Sequence, residues 1–134
     1  CSPDLNHGNF LLHFQGPLPP LINVGHRDLL LPAESIDRYY RQCFPATQIA
    51  VDPVNVFRQL RECAAKATHI YLDIDCDVLD PIHFPAVGQC VPFGLTPTTL
   101  LTLIEAVWSD RVQGVFLSEF ILLRKYESGN PLSQ

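Results

Sequence analysis

An α/β domain, doubly wound about a mainly parallel sheet, is the fold class this sequence predicts, on three observations. Short apolar runs of strand length alternate with longer runs of helical period. Two of the helical runs open on the same device, an N-cap residue followed by proline, at Asp52-Pro53 and Thr96-Pro97. Two of the strand runs end in acidic or hydroxyl side chains, at Asp75 and at Ser118-Glu119, and strand ends of this kind are where open α/β sheets collect ligands. With 134 residues, 47% of them hydrophobic and 17% charged, the chain has room for one domain over residues 1–134.

The elements follow in order. Residues 1–20 are rich in Pro, Gly and Asn and read mostly as loop, with Pro17, Pro19 and Pro20 punctuating the end. Leu21-Ile22-Asn23-Val24 reads as a strand closed by Gly25, Glu34 to Gln42 as a helix stopped by the turn around Pro45, and Gln48-Ile49-Ala50-Val51 as a second strand. From Pro53 onward, Val56, Phe57, Leu60, Cys63, Ala64 and Ala67 recur at helical spacing and make one apolar stripe. A strand from Thr68 to Asp75 comes next, and its apolar start predicts a central parallel strand covered on both faces. A loop rich in Pro and Gly runs from Asp80 to Leu95. The helix that opens at Pro97 is predicted to put Leu100, Leu101, Leu103, Ile104, Val107 and Trp108 in the core. Val112 to Leu117 is the last strand, and a short helical tail is predicted from Ile121 to Tyr126.

Composition excludes several classes of function. A net charge of −5 without a run of Lys or Arg leaves no basic patch to neutralise phosphates, so no nucleic-acid partner is predicted. No apolar stretch nears the ~20 residues of a membrane span. Leu29-Leu30-Leu31 stops at Pro32, and Ile121-Leu122-Leu123 stops at Arg124. The five cysteines, Cys1, Cys43, Cys63, Cys76 and Cys90, are odd in number and contain no Cys-x-x-Cys pair. They read as reduced thiols rather than a disulfide framework or zinc knuckle, which places the protein in the cytoplasm.

The chemistry concentrates in His69-Ile70-Tyr71-Leu72-Asp73-Ile74-Asp75-Cys76-Asp77-Val78-Leu79-Asp80-Pro81, where an apolar strand runs into four carboxylates. Extended backbone puts alternate side chains on one face ~7 Å apart, so Asp73, Asp75 and Asp77 are predicted to project together. Burying one unpaired carboxylate costs several kcal/mol, so such a cluster lies in water or holds a cation. Carboxylate oxygens are hard ligands that suit Mg, Mn or Ca. A calcium loop starting at Asp73 fails, because Val78 stands where Gly is required and Phe84 where a bidentate Glu is required. A phosphatase-like Asp-x-Asp site at Asp75 and Asp77 is a rival, although no small hydroxyl residue follows to contact phosphate.

The fuller pattern of Asp73 to Pro81, with Phe84-Pro85-Ala86-Val87-Gly88 and Gly94-Leu95-Thr96 after it, resembles the signature of the ureohydrolase superfamily, which includes arginase, agmatinase and formimidoylglutamase. The similarity extends more weakly through Asn6-His7-Gly8-Asn9, Asn23-Val24-Gly25-His26-Arg27 and Leu117-Ser118-Glu119. The resemblance implies an arginase-like three-layer α/β/α fold. It also implies two Mn2+ ions activating a bridging hydroxide against the guanidino or amidino carbon of a linear amidine such as arginine or agmatine. Aligned on Asp80-Pro81, the family's metal-ligating Asp residues fall on Asp75 and Asp77. Asp73 takes a place usually held by Ser, and Asp80 looks structural, capping the turn that Pro81 fixes. His7 matches a proton-shuttling His, and Glu119 matches the acid that steadies the substrate cation. Members of the family commonly assemble as homo-oligomers.

Each assignment has a bland counterpart: a solvated strand end for Asp75 and Asp77, a surface loop His for His7, an exposed Glu for Glu119. His13, His26, His69 and His83 are read as hydrogen-bonded or exposed rather than metal-bound. The family's remaining metal ligands, a His in a Gly-rich turn and an Asp-x-His-x-Asp motif, have no counterpart in these residues. With no Met in the sequence and Cys1 at its start, the chain is expected to be the carboxyl-terminal part of a ureohydrolase, with an incomplete domain. On that expectation it binds divalent cation weakly and turns over little. The alternative from another class is a catalytically silent remnant that keeps only the α/β core.

Overall fold

Proline at 17, 19 and 20 keeps regular structure out of residues 14–20 in the computed structural model, which describes residues 10–27, 38–88 and 90–121. One helical turn, α1 (Phe10–His13), precedes that stretch and strand β1 (Leu21–Val24) follows it. Strand β2 (Tyr40–Phe44) pairs with β1 in parallel, Asn23 opposite Cys43 and Val24 opposite Phe44. Gly25 then takes φ 89, a conformation open to a residue without Cβ, and its N–H donates to the Phe44 carbonyl at 2.8 Å.

The residues after β1 depart from the sequence reading in two places. The helix predicted from Glu34 to Gln42 falls partly outside the described residues, and its end is strand from Tyr40 onward. Tyr40, Cys43 and Phe44 suit a pleated surface, and Phe44 is buried there. The strand predicted at Gln48–Val51 is instead the end of helix α2 (Ala46–Val51). Ala46 and Ile49 are buried while Ala50 and Val51 are exposed, a spacing of three where a strand needs two.

The chain divides after Pro53 into two units. Helix α3 (Pro53–Lys66) opens at the boundary with Pro53 as its first residue, and the predicted stripe buries Val56 and Leu60. Full burial of side chains of this size contributes roughly 1.5–3 kcal/mol each. Arg111 donates from Nη1 to the carbonyls of Ala64 at 3.2 Å and Ala65 at 2.7 Å, bonding acceptors in the last turn of α3, where the Ala64 carbonyl also accepts from the Ala67 N–H.

Strand β3 (Ile70–Asp75) leads into a single 3-10 turn at Cys76–Val78. Helix α4 (Pro97–Val107) is capped by Thr96, whose Oγ1 accepts from the Thr99 N–H at 3.1 Å. Strand β4 (Val112–Ser118) returns parallel to β3, with Tyr71 opposite Gly114, Asp73 opposite Phe116 and Asp75 opposite Ser118. The helix between two parallel strands is the crossover that an α/β sheet requires.

Three core expectations are corrected in this unit. Leu103 and Ala106 are the buried residues of α4, whereas Leu101 is 62% exposed and lies off that face. Trp108 is 59% exposed, because the helix ends at Val107 and the Trp108 backbone turns extended at ψ 125, leaving the helical period. β3 is not covered on both faces among the described residues. Ile70, Leu72 and Ile74 are half-buried, and Tyr71, Asp73 and Asp75 on the other face are exposed. The tail predicted to Tyr126 lies outside the described residues after Ile121, and Ile121 itself is in no regular element.

Candidate functional site

Asp75 ends β3 and Ser118 ends β4 directly opposite it, so Glu119, the next residue, leaves the ladder at the same carboxyl edge. That edge is where the sequence placed the acidic rim. Asp77 reaches it by a different route from the one predicted. It is not a third alternate position along an extended strand, because β3 stops at Asp75 and Asp77 sits in the 3-10 turn. The cause is local: the Asp75 Oδ1 accepts from the Asp77 N–H at 3.1 Å and bends the chain there. Asp73 and Asp75 do share the exposed face of β3.

Both carboxylates act on the residue between them. The Cys76 thiol is pushed above its ordinary pKa first by burial, then by the negative charges of Asp75 and Asp77. A negative field at an exposed strand end is chemistry that a hard divalent cation matches. Asp75 is exposed and Asp77 half-buried, so their oxygens fit as ligands for such an ion. They do not make a complete set. Among the described residues, no three His, Cys, Asp or Glu side chains form a group able to hold a metal. Glu119 shares the edge without joining the two Asp residues in such a group.

Glu119 adopts φ 56, a conformation that costs a residue with a Cβ about 1–2 kcal/mol. Nothing in the residue types of 117–119 announces this, since Glu has no special tolerance for it. Asp80 is the turn cap that the sequence suggested, its Oδ1 accepting from the Ile82 N–H at 3.0 Å. It does more than cap: its Oδ2 accepts from the Gly94 N–H at 3.1 Å, a long-range bond with no local signature. These bonds, the Ile82 N–H foremost and with help from the Gly94 and Phe93 N–H groups and His83, hold the Asp80 carboxyl below its ordinary pKa against the opposing effect of burial.

Of the remaining site residues, His7 lies outside the described residues. His26 bonds through Nδ1 to the Asn23 Oδ1 at 2.8 Å, and His69 through Nδ1 to the Thr68 Oγ1 at 3.3 Å. Among the described residues, the cysteines at 43, 63, 76 and 90 form no disulfide. Among the described residues no helix is long and apolar enough to cross a membrane.

The sequence profile of the arginase family matches residues 3–120. The chain belongs to the arginase family. This arginase-family chain is 31% identical over 93 residues to N(1)-aminopropylagmatine ureohydrolase of Thermus thermophilus, a match covering 69% of this chain and 31% of that protein. Formimidoylglutamase from Bacillus subtilis superposes with a TM-score of 0.66 at 21% identity, over 75% of this chain and 33% of that one. A triple mutant of a T. brucei arginase-like protein, bound with Mn2+, superposes with a TM-score of 0.59 at 22% identity, over 87% of this chain and 38% of that one. At such identities the superpositions speak for the fold, which is the α/β fold of arginase-family proteins. The chain spans about a third of the length of the relatives it matches.

Proposed function

We propose that this arginase-family chain supplies part of a hydrolase site that cleaves a guanidino or amidino C–N bond in a linear amidine, with Asp75 and Asp77 as ligands to Mn2+. The observation that carries this reading is the β3–β4 register. It sets Asp75 opposite Ser118 and so brings two candidate metal ligands and a candidate cation-binding acid to one sheet edge. The family match and the ureohydrolase among the relatives support the reaction class, and the Mn2+-bound fold relative supports the choice of ion.

Divalent ions held with the help of Asp75 and Asp77 would lower the pKa of bound water and so supply a nucleophile near neutral pH. The chain's own residues account for the rest. Asp75 offers hard oxygens at a rigid strand end, and its bond to the Asp77 N–H sets the angle at which the second carboxylate leaves the turn. Glu119, held at the neighbouring strand end, binds the planar cation of the substrate by charge-assisted hydrogen bonds, and this orients the carbon to be attacked. His7 carries a proton to the departing amine.

The test is urea or amine release from arginine, agmatine and formimidoylglutamate in the presence of Mn2+, with a variant lacking both ligands, Asp75→Asn with Asp77→Asn, beside the native chain. Release that vanishes in the variant supports the reading. Release that survives unchanged refutes it. A native chain that releases nothing and shows no shift of Glu119 resonances with guanidinium favours the alternative of a silent α/β core.

A further inference from the structure

The loop from residue 81 to residue 94 leaves and returns at one side chain. Asp80 accepts from the Ile82 N–H at its start and from the Gly94 N–H at its end, at 3.0 and 3.1 Å. The Asp80 N–H donates to the Leu95 carbonyl and the Leu95 N–H to the Val78 carbonyl, each at 2.9 Å, so backbone bonds brace the same point. The middle of the loop is stitched elsewhere. The Ile121 N–H donates to the Ala86 carbonyl at 2.7 Å, and Val87 pairs with Phe120 in an antiparallel bridge. Val87 is 5% exposed, so this contact is anchored by a buried side chain.

The strain in the backbone falls at the two ends of this stitching. Among the described residues, the non-glycine residues at positive φ are Phe93, at φ 64, and Glu119, at φ 56. Phe93 precedes the clasped Gly94, and Glu119 precedes the bridged Phe120. A residue with a Cβ persists in this region only where its surroundings over-determine it. The β4 ladder fixes the chain before Glu119 through Ser118, and the loop fixes the chain after it.

From this geometry we infer that Asp80 is a positioning residue for Glu119: its carboxylate closes the 81–94 loop, and the closed loop holds the left-handed backbone of Glu119 at the strand edge that Asp75 shares. The consequence for substrate rests on the function proposed above, with Glu119 as the cation-binding acid. The coupling itself is a property of the chain alone. An asparagine at residue 80 keeps one acceptor oxygen and can hold one of the two loop amides, whereas alanine holds neither.

The experiment is backbone NMR with amide exchange on the 134-residue chain and on the Asp80→Asn and Asp80→Ala variants, without metal or guanidino compound. Asp80→Ala is expected to speed exchange about tenfold or more at Ile82, Gly94 and Ile121 and to move the Glu119 and Phe120 resonances. Amides of α3 and of the β3–β4 ladder keep their protection, which a merely structural role would not allow. Asp80→Asn gives a partial version of the same pattern. Faster exchange at Ile82 and Gly94 with Glu119, Phe120 and Ile121 unmoved would overturn the coupling. If the alanine variant loses protection everywhere, the asparagine variant decides, and uniform loss there also overturns it. Because neither metal nor guanidino compound is used, failure of the coupling leaves the proposed function to its own test.

Discussion

Replacing Glu119 by glycine and by alanine separates its backbone from its carboxylate. Both variants lose the acid, so both lose any guanidinium bound there. They differ in how the backbone tolerates φ 56. A Cβ in the left-handed region costs about 1–2 kcal/mol. Glycine gives back roughly 0.4–1 kcal/mol of that through the greater freedom of its unfolded chain. The glycine variant should therefore be more stable than the alanine variant by about 1 kcal/mol. Urea slopes of roughly 1–3 kcal/mol/M make this a midpoint difference of about 0.3–1 M. The assay is urea unfolding followed by far-ultraviolet circular dichroism on the two variants side by side. An alanine variant with a midpoint equal to or above the glycine variant would refute the claim that Glu119 is held in a strained conformation, and the argument for the 81–94 loop as its holder would fall too.

Other outcomes follow from the same structure. Leu103 is 5% exposed and Leu101 62%, two positions apart on α4, so Leu103→Ala should cost about 2–5 kcal/mol and Leu101→Ala under about 0.5 kcal/mol in urea unfolding. Comparable losses would mean that the helix presents a different face. Acid should open the loop before it unfolds the chain. The Asp80 carboxyl is held below its unfolded value of about 3.9, so the stabilisation is full above that pH and disappears as pH falls through the lowered folded value. Exchange at Gly94, corrected for its intrinsic pH dependence, should rise in that window, and a flat profile would show that the Asp80 carboxylate does not hold the loop.

What the sequence revealed depended on how local the cause was. Pro53 and Thr96-Pro97 announce α3 and α4 because a first-turn proline and, at Thr96, a cap act within one turn, whereas Asp52 stands as the C-cap of α2; Val56 and Leu60 carry the predicted stripe of α3. Ile70–Asp75 and Val112–Ser118 are legible because strand-length apolar runs there end in polar groups. Gln48–Val51 misled because its apolar residues suit either a strand or a short helix, and spacing within four residues cannot separate the two. Trp108 misled because the helix stops one residue earlier than its apolar pattern does. At the site, Asp75 and Asp77 were placed at the right edge, but alternation in a strand does not foresee that the Asp75 carboxylate itself ends the strand by capping the turn. The reach of Asp80 to Gly94 and the left-handed Glu119 were not legible at all, since both depend on contacts between segments far apart in the sequence.

The central claim, that Asp75 and Asp77 are metal ligands, is tested most directly by titrating Mn2+ into the isotope-labelled chain and following paramagnetic broadening residue by residue. Binding by these side chains should broaden Asp75, Cys76 and Asp77 first. Replacing both with Asn should weaken the apparent affinity more than about tenfold. Broadening centred elsewhere, or an affinity that the double variant leaves unchanged, would contradict it.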